Sequence, residues 1–431
     1  MAEIIIGDLR GITGVIGAAV GKGVFGTVSE LLAFDGTVKA VKVFNKATDD
    51  LEKRLRRLAK QNAPHHAFKG WPLDITRNKR GQLCVIMQLV RPPSRPLPDL
   101  IRDLPSVPMR TRAILACLIS DALEALAIRG MAFNDLAPQQ VLVNLQSVLL
   151  DLVDCDNVAI SGCLPFVVGT PGCMSPQSML GREPMSLATD AFALGVLVFL
   201  LLICIHPLLG IREEQRTFLD REAYQQLFAV DPLFVFARDP SNRPGKTQGL
   251  APIRSWNQLP RKIRHAFTKN FTVGLLKTHD CVFASDWRRM MASLVDAAFQ
   301  CDCSAELFAD SAKFQQKCWQ CGTLVQRPRR IAIRAAGRTS RLILRNESEL
   351  YSHHLSGRRP SFDFSVIGRI VHGASRRSHF VGIENLTSSS WLVRCGTDRL
   401  TIAPGQTAAL PIGAGHCFPS GVEGGIAISA A

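Results

Sequence analysis

Only two tyrosines occur in 431 residues, and aromatic side chains make up 7% of the chain. A surface that stacks nucleobases needs such rings, so a specific nucleic-acid partner is not indicated. Long polar tracts are missing as well, and 47% of the residues are hydrophobic, which excludes a largely disordered chain. The first residues, MAEIIIGDLRG, carry acid early and lack a basic stretch followed by an apolar one, so no secretory leader is expected. The thirteen cysteines are an odd number, and most lie singly in apolar runs, as Cys117 and Cys204 do. That pattern is not a disulfide framework and points to a reducing cytoplasm. No internal repeat is visible, and the length suits two or three domains.

Positive charge is present in excess, at a formal net of +15. It suits a nucleic acid, a membrane surface, phosphates or acidic proteins, and a solvated basic face accounts for it equally well. One run, Ala191 to Ile211, holds no formal charge and is long enough to span a bilayer. His206 and Pro207 interrupt it near one end and Asp190 precedes it, so a buried core helix is the preferred reading and no membrane span is expected.

The stretch VGKGVFGTVSE sets Gly21, Gly23 and Gly26 in the order G-x-G-x-x-G, with Lys22 inside the loop and Val28 after it. A dinucleotide fingerprint would continue into a helix. Here TVSELLAFDGTVKAVKVF reads as strand, turn at Asp35-Gly36, strand. A glycine hairpin can lay its amides over phosphates because no Cβ obstructs the approach. The second strand ends KAVKVF, which puts Lys42 where a V-A-I-K lysine belongs. Such a lysine neutralises the α- and β-phosphates of ATP and pairs with a carboxylate on the following helix, for which Glu52 is the expected partner.

Further on, FNDLAPQQVLV lies where a kinase carries H-R-D-L-K-P-x-N-x-L, and gives Asp135 the position of the base that accepts the substrate hydroxyl proton. Nineteen residues later, Asp154 opens D-C-D at the place of D-F-G and is the expected magnesium ligand, with Asp151 a competing candidate of poorer spacing. VGTPGCMSPQ is similar to the G-T-P-x-x-M-A-P-E that closes an activation segment, and Thr170 within it is expected to hold that segment near Asp135. Asp190 falls where kinases begin their large buried helix. Residues from about 10 to 300 thus resemble a Ser/Thr protein kinase domain. The resemblance implies ATP and Mg2+ as cofactors and a protein hydroxyl as acceptor.

The departures are as informative as the matches. Gln140 replaces the asparagine that holds a second metal, and its carbonyl is still an oxygen ligand, one methylene further out. Ala137 replaces a lysine that faces the transferring phosphoryl group. Phe133 and Asn134 replace the H-R pair, so a phosphate on the activation segment has no arginine there to receive it. Gln177 replaces the closing glutamate, and the place of its usual arginine partner holds His279 or Asp280. Since Lys42, Asp135 and Asp154 are retained, an active kinase is the first reading. A nucleotide-binding pseudokinase scaffold is the alternative.

After the helical region, Cys301, Cys303, Cys318 and Cys321 come together in CDCSAELFADSAKFQQKCWQCG. Four thiolates can close a structural zinc site, although C-x-C is an unusual half and one of its cysteines could be idle. Buried free thiols are the other reading. Some bacterial kinases of tellurium-resistance type resemble this chain in carrying such a cluster, and they imply a 2C-type phosphatase and a von Willebrand A-type protein as partners. VIGRIVHGASRRSHFVGIENLT resembles part of a forkhead-associated domain, with Arg369, Ser375, Arg376 and Asn385 as phosphopeptide-binding candidates beside His379. A β-sandwich without phosphate binding fits the segment equally well. The expected architecture is α+β: a bilobal kinase-like fold with an N-lobe over 1–92 and a C-lobe over 93–300, a zinc knuckle over 301–326, a basic linker over 327–360, and a small all-β sandwich over 361–431.

Overall fold

The computed structural model describes residues 3–162, 169–309, 315–326, 328, 330–335, 338–343, 348–355, 362–372, 380–395, 398–411, 415–417 and 425–427. The chain divides into two compact units. One comprises residues 1–105, 118–249 and 267–285, and the other 106–117, 250–266 and 286–431.

The first unit opens with an antiparallel sheet of β1 (Ile4–Ile6), β2 (Thr13–Lys22), β3 (Gly26–Ala33), β4 (Val38–Phe44), β5 (Asp74–Arg77) and β6 (Leu83–Gln88), in the order β1-β2-β3-β4-β6-β5. The G-x-G-x-x-G segment is the hairpin between β2 and β3, where Gly21 faces Val28 and Lys22 faces Thr27. Between β4 and β5 lies helix α1 (Asp49–Ala59). Thr48 starts it by accepting a hydrogen bond from the Leu51 amide, and Asp49, Asp50 and Glu52 in its first turn complement the helix dipole. Leu51, Leu55, Leu58 and Ala59 recur at helical spacing and form its buried face.

A long helix, α2 (Met109–Ile128), precedes a hairpin of β7 (Val141–Asn144) and β8 (Leu149–Leu152). That hairpin delivers Asp135 and Asp154 at its two open ends. The uncharged run folds as α3 (Leu187–Ile203), capped by a reciprocal Ser186–Thr189 box and ended by Cys204 in a left-handed conformation, φ 66°. Every residue from Thr189 to Ile203 is buried. Phe199 meets Phe234 and Phe267 edge-on, with ring centroids 5.6 and 5.1 Å apart. Each aromatic side chain so enclosed contributes ~1.5–3 kcal/mol, which explains why the run is apolar all round. Among the described residues no helix is long and apolar enough to cross a membrane.

In the second unit, two short hairpins carry the clustered cysteines: Ala298–Gln300 with Glu306–Phe308, and Gln315–Lys317 with Leu324–Gln326. Two sheets follow. One runs Arg338–Ile343, Arg330–Ala335, Gly425–Ala427, Gly415–Cys417, Trp391–Cys395, Asp398–Ile402, and the other Glu349–Tyr351, Val366–His372, Phe380–Asn385, Thr407–Pro411. The expected basic linker over 327–360 is therefore corrected: it supplies strands to both sheets. RIAIRA and RTSRLI form paired strands although neither shows a clean apolar/polar alternation, so their arginine content was what the sequence displayed. Gly368 brings the two sheets close, since a Cβ there would stand 2.8 Å from the Trp391 ring and 2.9 Å from the Glu384 carbonyl oxygen.

Candidate active site

The glycines of the hairpin are not equivalent. A Cβ on Gly26 would lie 2.3 Å from the Val43 carbonyl oxygen, so this glycine permits β3 to approach β4. Around Gly21 there is open space, and a Cβ on Gly23 would meet only the Gly26 carbonyl oxygen at 3.9 Å. Those two leave backbone free on the side where a phosphate would sit.

Lys42, on β4 and opposite Val28, is buried, and its ammonium meets two carboxylates. Asp154 Oδ1 is 2.5 Å away, and Asp156 Oδ2 is also hydrogen-bonded to it. Burial opposes the ammonium charge, but Asp156 and Asp154 outweigh it, and the lysine pKa lies above its usual value. Burial likewise raises the Asp156 carboxyl, to about 7, against the pull of Lys42. The expected partner Glu52 is a correction. It faces Arg56 Nε at 2.9 Å and Arg77 Nη2 at 2.5 Å. Helical spacing to Arg56, four residues on, and Arg77 on β5 satisfy it where it stands. The α1 side chain that does reach the site is Arg54, whose Nη2 donates to the Asp156 backbone carbonyl at 2.7 Å.

Asp154 adopts φ 58°, ψ 52°, a left-handed conformation uncommon outside glycine and enriched in aspartate and asparagine. The turn at Gly70 packs against it, since a Cβ on Gly70 would fall 2.6 Å from the Asp154 nitrogen. Its side chain is 44% exposed, which leaves carboxylate oxygen for a cation. Gln140 Oε1 is buried and accepts no hydrogen bond. The Val153 amide donates to the Gln140 backbone carbonyl at 2.9 Å, which makes Gln140 and Asp154 near neighbours along the chain path. An unpartnered side-chain carbonyl and a half-exposed carboxylate are hard oxygen donors of the kind Mg2+ takes, so the residues present fit that ion. Asp151 is instead a strand residue opposite Leu142, and burial raises its carboxyl while Lys69 lowers it.

Asp135 Oδ1 accepts from both the amide and the hydroxyl of Thr170, each at 2.9 Å. Burial raises the Asp135 carboxyl, Thr170 draws it back, and the nearby charge of Asp154 raises it again. Behind the loop, Asp190 accepts from the Phe133 amide at 2.5 Å and the Asn134 amide at 3.0 Å. Burial puts the Asp190 carboxyl at about 7, with those two amides opposing. Asn134 Nδ2 donates to the Asn157 carbonyl at 2.8 Å, which ties the catalytic loop to the segment after Asp154. Ala137 is fully buried. Gln177 donates to the Leu275 carbonyl at 3.3 Å, and neither His279 nor Asp280 is its partner. The tie between these segments that sequence reasoning missed is Glu183, whose Oε1 accepts from the hydroxyls of Ser175 and Thr278, each at 2.5 Å.

In the second unit Cys301, Cys303, Cys318 and Cys321 converge, all four sulfurs lying within 4.8 Å of one another. Cys301 pairs with Cys321 and Cys303 with Cys318, both at 3.7 Å. A disulfide would need about 2.05 Å. Four sulfurs about 2.3 Å from one zinc in a tetrahedron stand about 3.8 Å apart, so the cluster fits the ion. Both cysteines of the C-x-C half lie within the cluster. Ser304 and Gly322, at φ 66° and 75°, make the turns that double the chain back. The Thr323 hydroxyl and amide lower the Cys321 thiol to about 6, a thiolate ready to ligate. At Cys303 the Ala305 amide favours the thiolate, but burial and the other sulfurs outweigh it and hold the thiol at about 12.

Asp296, His353 and His354 also gather. His354 Nδ1 accepts the Tyr351 amide at 3.0 Å, so Nε2 must carry the proton, which it shares with Asp296 at 2.9 Å. A nitrogen in that state is no metal ligand. Asn385 is a second correction. It is fully buried, donates to the carbonyls of Ser389 and Ile402, and accepts from the Thr387 amide and hydroxyl, so nothing remains for a phosphate. Arg369 lies on its strand opposite Glu349 and Glu384. Ser375, Arg376 and His379 lie outside the described residues.

Residues 15–248, more than half of the chain, match the protein kinase domain family, and the chain belongs to that family. It is also 37% identical over 91 residues to a serine/threonine-protein kinase 17A from Oryctolagus cuniculus. That stretch is 20% of this chain and 22% of the relative, so the chain spans about a fifth of the length of the curated protein it matches.

Proposed function

We propose that this chain is an ATP-dependent Ser/Thr protein kinase. The observation that carries the reading is the convergence of Lys42, Asp154 and Asp135 beneath a glycine hairpin whose Gly21 and Gly23 leave open space. The acceptor hydroxyl oxygen bonds to the γ-phosphorus, the bond from that phosphorus to the β–γ bridging oxygen breaks, and ADP leaves. Asp135 receives the hydroxyl proton, and Thr170 fixes the carboxylate that does so. Lys42 neutralises the α- and β-phosphates, while Gly21, Lys22, Gly23, Gly26 and Val28 form the cover over them. Mg2+, held by Asp154 and Gln140, would supply charge neutralisation at the phosphates. Structural zinc on the four cysteines is part of the same proposal, supported by the approach of all four sulfurs within 4.8 Å of one another and by two pairs at 3.7 Å. Pairing with a 2C-type phosphatase and a von Willebrand A-type protein, and a place in bacterial cytoplasmic signalling, rest on the sequence resemblance alone.

A scaffold reading has one observation of its own: the position of the phosphoryl-facing lysine is the buried methyl of Ala137. Transfer from labelled ATP to a generic protein substrate, wild type beside Asp135→Asn, separates the two. The kinase reading expects transfer that falls at least a hundredfold in the variant, on the order of a general-base loss. Nucleotide binding by the wild type without transfer would establish the scaffold.

A further inference from the structure

We propose that Asp156, and no carboxylate of α1, positions Lys42, and that Arg54 of α1 holds Asp156 in place. The inference rests on the kinase reading of the cleft. The V-A-I-K lysine takes its partner from the following helix. Here α1 offers three acids, and none is available. Asp49 and Asp50 are exposed in the first turn, and Glu52 is held by Arg56 and Arg77. The helix still touches the site, but with reversed polarity: the Arg54 guanidinium grips the Asp156 carbonyl at 2.7 Å.

Burial assigns the two carboxylates on Lys42 different tasks. The Asp156 side chain is 12% exposed and that of Asp154 is 44% exposed. A carboxylate as enclosed as Asp156 is stable only with its cation, so it stays on the lysine. Asp154 reaches the open cleft and can turn from Lys42 to a divalent cation. With Asp156 balancing the ammonium, that turn leaves no charge bare. Without Asp156, Lys42 and the cation compete for one carboxylate. Asp156 is thus a positioning residue: it touches neither nucleotide nor metal, and acts by holding Lys42 and releasing Asp154.

The test reads Lys42 directly in the full chain, then reads nucleotide. Competitive acetylation with limiting acetic anhydride, scored by mass spectrometry against exposed Lys53 and Lys60, reports how firmly Lys42 keeps its proton. Asp156→Asn should raise Lys42 labelling about tenfold, the change given by one pKa unit. Glu52→Gln should leave it within about twofold, and Asp156→Glu should return it toward wild type. In calorimetric ATP titrations, the Mg2+ needed for half-maximal tightening should rise about fivefold or more in Asp156→Asn and stay put in Glu52→Gln, as competition for Asp154 requires. Should Asp156→Asn fail to fold, Arg54→Ala, which keeps every carboxylate, is the second variant and should raise Lys42 labelling. Unchanged labelling in the folded variants, or a rise in Glu52→Gln, overturns the proposal. Raised labelling in Asp156→Asn together with no ATP binding by the wild type would refute the kinase reading and leave the Lys42–Asp156 pair standing.

Discussion

Thr170→Val removes one hydroxyl and keeps shape, and its effect can be worked from the site. The Thr170 hydroxyl and amide both donate to Asp135 Oδ1 at 2.9 Å, and valine retains only the amide. A hydrogen bond to a charged group contributes ~1.5–3 kcal/mol, or about one to two pKa units for the carboxylate that accepts it. Asp135 is only partly buried, so water replaces some of the loss and about one unit is the expected shift. The sign follows from the acid's role. Burial already holds the Asp135 carboxyl above its usual 3.8, and Thr170 is what lowers it. The base acts deprotonated, so activity is present above its pKa and lost as pH falls through it. Deleting the hydroxyl raises that pKa and moves the acid limb of kcat/KM to higher pH by about one unit. Above that acid limb the remaining loss, about threefold to tenfold, reports the poorer orientation of the carboxylate. The assay is phosphate transfer from labelled ATP across the pH range, with Thr170→Ser as the control that restores the hydroxyl. Superimposable profiles for wild type and Thr170→Val would refute the role given to this contact.

Phosphatase-treated protein should keep its transfer rate within about twofold, because the neutral Asn134 is already committed to the Asn157 carbonyl and forms no charge-assisted pair with an added phosphate. A large loss that incubation with ATP restores would show another basic residue doing the arginine's task. Gly26→Ala should destabilise the fold by about 1–3 kcal/mol in thermal or denaturant unfolding, since its Cβ meets the Val43 carbonyl oxygen at 2.3 Å. Gly23→Ala should leave stability nearly unchanged and weaken ATP binding. Elemental analysis should find about one zinc per chain, lost when Cys318 and Cys321 are both replaced by serine. Metal-free, folded wild type would return those cysteines to ordinary buried thiols.

What was legible in the sequence was what short spacing encodes. G-x-G-x-x-G followed by two strands, Lys42 at a strand end, and Asp135 and Asp154 flanking a hairpin are local patterns, and backbone geometry carries them to one cleft. The apolar run of α3 was legible as core because Asp190 precedes it and His206 and Pro207 interrupt it near one end. The cap at Ser186 and the left-handed Cys204 that bound the helix came from the structure. The partner of Lys42 was not. Glu52 stands on the right helix, but choosing among carboxylates depends on which cations surround each one, and Arg77 comes from another strand. Asp156 lay inside the quoted D-C-D yet drew no role, because a motif names positions and not the direction a side chain takes. Asn385 failed for the same reason: an asparagine beside a turn serves its own backbone at least as readily as a ligand.

The exchanges of charge across the site follow one physical division. Where kinases anchor the activation segment with ions, this chain uses neutral donors: Asn134 on the Asn157 carbonyl, Gln177 on the Leu275 carbonyl, and hydroxyls of Ser175 and Thr278 on Glu183. A buried ion pair is close to break-even against its desolvation, so removing both partners together costs little, whereas removing one strands the other. Gln177 and its missing arginine are such a joint removal. The cleft is different. A triphosphate brings its own charge, and no neutral side chain substitutes for Lys42 or for the carboxylates that balance it. Those charges persist, and the one that moved, from α1 to Asp156, moved with its electrostatic task intact. Gln140 sits between the two regimes, because its carbonyl keeps an oxygen donor but not the asparagine's reach. Its Oε1, buried and without a hydrogen-bond partner, is the oxygen that the proposed metal site would draw on.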